Sequence, residues 1–146
     1  MSFDDSLDKS RQVAQEEKEI LDLLRERELD PIALRAAKSS LQVMIENCIG
    51  KAKPILQHYH CPATPHESRD ALRILADCEA IDEATYRALH QAIGFRNVMI
   101  HDSMNFDPEA LRRILRSRMY DTLYAFLIDE CRYDELIRRR IENYAF

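Results

Sequence analysis

Three polar residues set inside one apolar run are where the types and spacing in this sequence could do chemistry. Residues 94–107 read GFRNVMIHDSMNFD, placing Arg96, Asn97 and His101 among Phe95, Val98, Met99 and Ile100. A histidine titrates near neutral pH and can act as general base or general acid. An arginine holds phosphate through paired, charge-assisted hydrogen bonds and steadies charge growing on a phosphoryl oxygen. Together they suit RNA cleavage without a metal. The base takes the ribose 2′-proton, the 2′-oxygen attacks the adjacent phosphate, and the guanidinium stabilises the transition state. DNA lacks that hydroxyl. A purely structural reading stands beside this one: Arg96 pairs with Asp102 or Asp107 at a helix end, and His101 is a satisfied, half-buried imidazole.

The elements that carry these groups must be helical. Asn97 and His101 are four apart and share a helix face, as do Arg96 and Ser103 at seven. Arg96 and His101 differ by five, which is about 140° around a straight helix. A single chain therefore aims them in different directions. A two-fold axis doubles the set and lets the groups of one copy meet those of another. Phe95, Met99, Met104 and Phe106 flank the motif, and some of them are expected at such an interface.

The rest of the chain reads as helices with short breaks. Its 146 residues suit one domain, and 46% apolar with 32% charged residues is the balance of a globular protein. Two glycines and five prolines are too few for a sandwich, a barrel or a Rossmann sheet. No apolar stretch is long enough to span a membrane. The acidic start MSFDDSLDKS is no signal peptide, so a cytoplasmic location is expected.

A first helix is expected from about Asp5 to Glu28, stopped by Leu29-Asp30-Pro31. Asp30 caps the second, with Pro31 at its first position. That helix carries the clearest helical period, from Leu34 through Leu41, Met44, Ile45, Cys48, Ala52 and Leu56, and Pro54 kinks it or closes its last turns. Thr64, Pro65 and Glu67 form a capping-box pattern that starts a third. Asp82 caps a fourth. Asp107-Pro108 starts a fifth that continues through Leu111, Leu115, Met119, Leu123 and Phe126. The expected architecture is an all-α, five-helix up-and-down bundle over residues 1–146, with 1–4 and 142–146 frayed. Gly50, deep in the second helix, suggests close packing.

Other groups compete for attention. His58, His60, Cys61 and His66 lie in one loop, and imidazole and thiolate are zinc ligands. Pro62 and Pro65 stiffen that loop and no second cluster is in view, so no metal is assigned. The cysteines 48, 61, 78 and 131 have no close pair and read as reduced, buried or half-buried thiols. The net charge of −5 is uneven: residues 1–30 hold 5 basic and 10 acidic side chains, and residues 108–146 hold 8 and 7. The run Arg138-Arg139-Arg140 is a solvated face or a contact for RNA backbone.

The sequence resembles a known family. The run GFRNVMIHDSMNFD looks like the R-N-x-x-x-H signature of the HEPN superfamily, in the form carried by HepT-like toxins. The stretch HESRDALRILADCEAID and the Leu41, Met44, Ile45-Glu46-Asn47 pattern extend the likeness over about residues 5–140. The resemblance implies an all-helical, two-fold homodimer whose paired motifs line a composite cleft and cut RNA without a metal or other cofactor. It implies Arg96 and His101 as the motif arginine and histidine, with Asn97 as the polar position beside the arginine. It also implies a type VII-like toxin–antitoxin pair with a minimal nucleotidyltransferase (MNT) antitoxin. In this branch the motif continues H-x-Y, and that tyrosine resembles the acceptor of AMP. Here the position is Ser103, which keeps a hydroxyl but loses the ring and its reach. A second class of function stays open: a catalytically silent HEPN binding subunit that engages a nucleotidyltransferase.

Overall fold

The computed structural model describes residues 2–63, 65–101 and 103–145, with the backbone alone for Ser103. Among them are seven α-helices, one short 3-10 turn and no strand. Helix α1, Phe3–Arg25, begins where the Ser2 side chain accepts from Asp5 N at 3.1 Å. Its buried stripe is narrow, Leu7, Ala14, Leu21 and Leu24. Asp30 caps α2, Pro31–His58, by accepting from Ala33 N at 2.8 Å, as the Asp-Pro pair predicts. The Phe3 ring stacks on His58 at 4.0 Å, so α1 and α2 run antiparallel along their whole length.

Helix α2 is the axis of the molecule, touched by α1, α3, α4, α5 and α6. Pro54 lacks the N–H that would bond the Gly50 carbonyl, and the helix ends one turn later at His58. A Cβ on Gly50 would meet nothing within 4 Å, so close packing does not explain that glycine. Nothing in the structure requires it.

Helix α3, Ser68–Asp77, starts later than the Thr64-Pro65-Glu67 pattern predicts. Glu67 is its cap residue and makes no side-chain cap bond; Thr64 lies outside the described residues. The backbone before it is held elsewhere, because the His66 carbonyl accepts from Lys53 Nζ at 2.7 Å. Helix α4, Glu83–His101, is capped as expected, with Thr85 N donating to Asp82 at 2.7 Å. A 3-10 turn, Ser103–Asn105, leads to Asp107, which caps α5 by accepting from Glu109 N at 2.9 Å.

The long fifth helix is corrected to three: α5 (Pro108–Ser117), α6 (Tyr120–Ile128) and α7 (Glu135–Glu142). Arg118 breaks the first pair at φ 57°, ψ 35°, its guanidinium bonding Asp121 at 2.9 Å. The turn swings Tyr120 into the core, where its hydroxyl donates to Asp22 of α1, and leaves Met119 39% exposed. The second break follows from a buried cation. Lys51 of α2 is 4% exposed, and its Nζ donates to the carbonyls of Phe126, Leu127 and Asp129 at 2.6, 3.2 and 2.8 Å. These are the orphan carbonyls of a helix end, and a buried ammonium satisfies them. With Cys48 Sγ against Leu123 O and Tyr59 donating to Cys131 O, the contacts advance together along both helices, so α6 runs parallel to α2.

Candidate active site

Helix α4 presents the motif in its last two turns, and His101 is its final residue. The alternation of burial along it is that of a helix half sunk in the core. Leu89, Ile93 and Met99 are buried, while Val98 and Ile100 are 43% and 39% exposed. Phe95 packs edge to face on Phe106 at 5.7 Å, and Lys38 of α2 sits 4.4 Å over the Phe106 ring. That aromatic pair ties the chain after α4 back onto α2.

Arg96 and Asn97 are half-buried, and His101 is exposed rather than half-buried. Arg96 does not pair with Asp107. Its Nη2 reaches Glu46 Oε1 of α2 at 3.4 Å, and its buried Nε has no acceptor among the described residues. Asp107 instead caps α5 and faces Arg113 at 3.9 Å; Asp102 lies outside the described residues. Among the described residues this one long contact is the only ion pair of a group with five donors, which can also hold a phosphate. Glu46 is the partner that residue spacing did not single out, although it lies inside the I-E-N pattern of α2.

The structure thus places Arg96, Asn97 and His101 on one helix end, without aiming them at one point. The apolar cleft beside them, about 170 Å³, is walled by Leu41, Ile45, Ala92, Phe95, Ile114 and Leu123, among others. Neither Arg96 nor His101 lines it. Met104, just beyond the motif, is 96% exposed, whereas Met99 is buried and Phe95 and Phe106 are packed on the core. Of the Ser103 position, only the backbone in the 3-10 turn is described.

The other sequence candidates lie far from this end of α4. His58 is taken up by stacking on Phe3, and among the described residues no three of His, Cys, Asp and Glu converge as metal ligands would. All four cysteines are free thiols, three of them buried. Arg139 pairs with Glu135 at 2.6 Å and Arg140 with Glu79 at 3.1 Å. No helix is long and apolar enough to cross a membrane among the described residues.

The architecture has solved counterparts. A Shewanella oneidensis HEPN toxin, tri-AMPylated and in complex with MNT antitoxin, superposes with TM-score 0.74 at 19% identity, covering 87% of this chain and 96% of its own. A chain from a toxin–antitoxin structure with AMP-PNP gives 0.73 at 18%, covering 87% and 99%. YutE, a cytosolic protein of unknown function from Bacillus subtilis, gives 0.67 at 20%, covering 97% and 94%. The fold is therefore HEPN-like. Among curated proteins none matches. The family profile described as Ribonuclease HepT-like matches residues 4–129, and the chain belongs to the HepT-like ribonuclease family.

Proposed function

We propose that this chain is the toxin of a type VII-like HEPN/MNT toxin–antitoxin pair, a metal-independent endoribonuclease that works in the cytoplasm as a two-fold homodimer. The observation that carries the reading is an exposed His101 on the last turn of α4 with Arg96 one turn back, whose one ion pair among the described residues is a 3.4 Å contact with Glu46, in a HepT-like chain. The imidazole of His101 accepts the 2′-hydroxyl proton as the 2′-oxygen bonds to phosphorus. The bond to the 5′-oxygen breaks, and that oxygen takes a proton from an imidazolium. The products are a 2′,3′-cyclic phosphate and a 5′-hydroxyl. Arg96 contacts the phosphate and its growing charge, and Asn97 is the polar neighbour that orients it. The angle of about 140° between Arg96 and His101 is the reason for a dimer, since a second copy supplies the group that one copy turns away.

The toxin–antitoxin neighbours support an MNT-type nucleotidyltransferase as the neutralising partner. With Ser103 at the family tyrosine position, neutralisation rests on binding, or on AMP transfer to a shorter hydroxyl. That same residue favours a second reading, a catalytically silent HEPN subunit that partners a nucleotidyltransferase.

The test is incubation of the pure protein with total RNA in EDTA, beside a His101→Ala variant. Loss of the base is expected to slow cleavage by about 10²–10⁴-fold without changing the melting temperature. If neither protein cuts RNA, or both cut it equally, the enzyme reading fails. Mass spectrometry after mixing with the nucleotidyltransferase and ATP reads the Ser103 question directly, as a gain of one or more AMP units or none.

A further inference from the structure

A second arginine cluster, remote in sequence from the motif, forms where α1 ends and α5 crosses it. Arg112 Nη2 donates to the Leu29 carbonyl at 3.4 Å, pinning α5 on the turn between α1 and α2. Arg112 and Arg116 are four apart and share a face of α5. With Arg25 and Arg27 from the end of α1 they line a cleft of about 110 Å³, floored in part by Leu115. Four guanidinium groups border it against one carboxylate, Glu28. Arg25 and Arg112 each hold a neighbouring glutamate, Glu26 at 3.0 Å and Glu109. Arg27 and Arg116 are exposed and form no ion pair among the described residues. Like charges gathered in one cleft repel, and the arrangement raises the local concentration of anions.

The geometry points to a binding site for the RNA backbone in this cleft, apart from the cleaving groups, and the assignment rests on the ribonuclease reading above. Helix α5 starts seven residues after His101, so its first residue lies within about 25 Å, and Arg112 and Arg116 lie about 6 and 12 Å further along the helix. A short single-stranded segment held at the motif can place its flanking phosphates between α1 and α5. The alternative basic feature, Arg138-Arg139-Arg140, is a poorer phosphate site. The cleft beside it sets Arg138 and Arg139 against Glu135 and Glu142, an even balance, and Arg139 and Arg140 are spent in ion pairs.

The test measures binding of a fluorescein-labelled single-stranded RNA by anisotropy over a salt series, in the His101→Ala background so that the RNA survives. Arg27→Gln/Arg116→Gln is expected to raise Kd about tenfold and to flatten the slope of log K against log[salt] by about 1.4, two phosphates at about 0.7 each. Arg27→Lys/Arg116→Lys should recover most of the affinity, as a charge contact does. Unchanged affinity and slope in the glutamine variant would overturn the assignment. So would a larger loss in Arg138→Gln/Arg139→Gln, which would move the RNA to the other end. Retained RNA binding with lost capture by a nucleotidyltransferase partner would make the cleft a protein-docking face and overturn it equally. Cleavage by the wild-type protein separates this outcome from the parent reading: an active wild type with an unaffected glutamine variant sinks the cleft alone, and an inactive wild type sinks the ribonuclease.

Discussion

The two ends of α2 treat charge in opposite ways. They are about 42 Å apart, 28 residues at 1.5 Å each. At the C-terminal end polar groups are consumed by structure. Lys51 is buried under three carbonyls, Tyr59 donates to Cys131 O, and Arg139 and Arg140 are paired with glutamates. At the N-terminal end Arg25 and Arg112 are paired with Glu26 and Glu109, but Arg27 and Arg116 form no ion pair among the described residues and border one cleft with a single carboxylate on its wall. Counting arginines therefore says little about where an anion binds. What matters is how much of each guanidinium the fold has already used.

Replacing Lys51 is the strongest way to break the structural half of this comparison. Lys51→Met leaves three carbonyls without their donor, at a cost of about 3 kcal/mol. For a chain of this size that lowers the melting temperature by roughly 9 °C. Cleavage per folded molecule should stay as it was. A melting temperature within about 2 °C of the wild type would mean that water caps α6 as well as the ammonium does.

Alkaline titration probes the same end more gently. Burial raises the thiols of Cys48 and Cys131 and the phenol of Tyr133. Above about pH 9 the unfolded chain releases these protons while the folded chain keeps them. The unfolded state then binds fewer protons, and stability falls as pH rises. Burial lowers Lys51, which sheds its proton earlier when folded and contributes in the opposite direction. Burial also raises Cys78, Tyr120 and Tyr144, so six acids oppose one base and the melting temperature should drop by about 5 °C between pH 8 and 10.5. A rise over that range would show that the lysine dominates.

How much of this was legible differs between the ends as well. Asp30, Asp82 and Asp107 announce their helices, because a short acceptor before a helical period has one favourable place to sit. The R-N-x-x-x-H string and its helix were equally plain. The divisions α5/α6 and α6/α7 were not. Arg118 and Cys131, like His60 and Glu79, hold positive φ without being glycine, so the corners carry no composition signal and are held by long-range packing. The arginine cleft was hidden for a related reason. Arg25 and Arg27 belong to the most acidic stretch of the chain, and only the fold sets them beside Arg112 and Arg116.

The two glycines give the smallest effect and a sharp one. Gly50 and Gly94 both lie inside helices, have no positive φ, and leave open space where a Cβ would stand. For the isolated chain each Gly→Ala change should therefore stabilise by about 0.5–1 kcal/mol through lower backbone entropy. Gly50→Ala is expected to do so at every protein concentration. Gly94 sits two residues before Arg96 on the helix that must approach a second copy if the motif is to be completed across a two-fold axis. There the same methyl group separates two uses of glycine. If the approach is close, Gly94→Ala weakens the dimer in sedimentation and slows cleavage even while the diluted chain melts higher. If Gly94→Ala stabilises the protein with dimerisation and cleavage unchanged, the axis does not pass over that turn of α4, and exposed Val98, Ile100 and Met104 become the surface left to carry the contact.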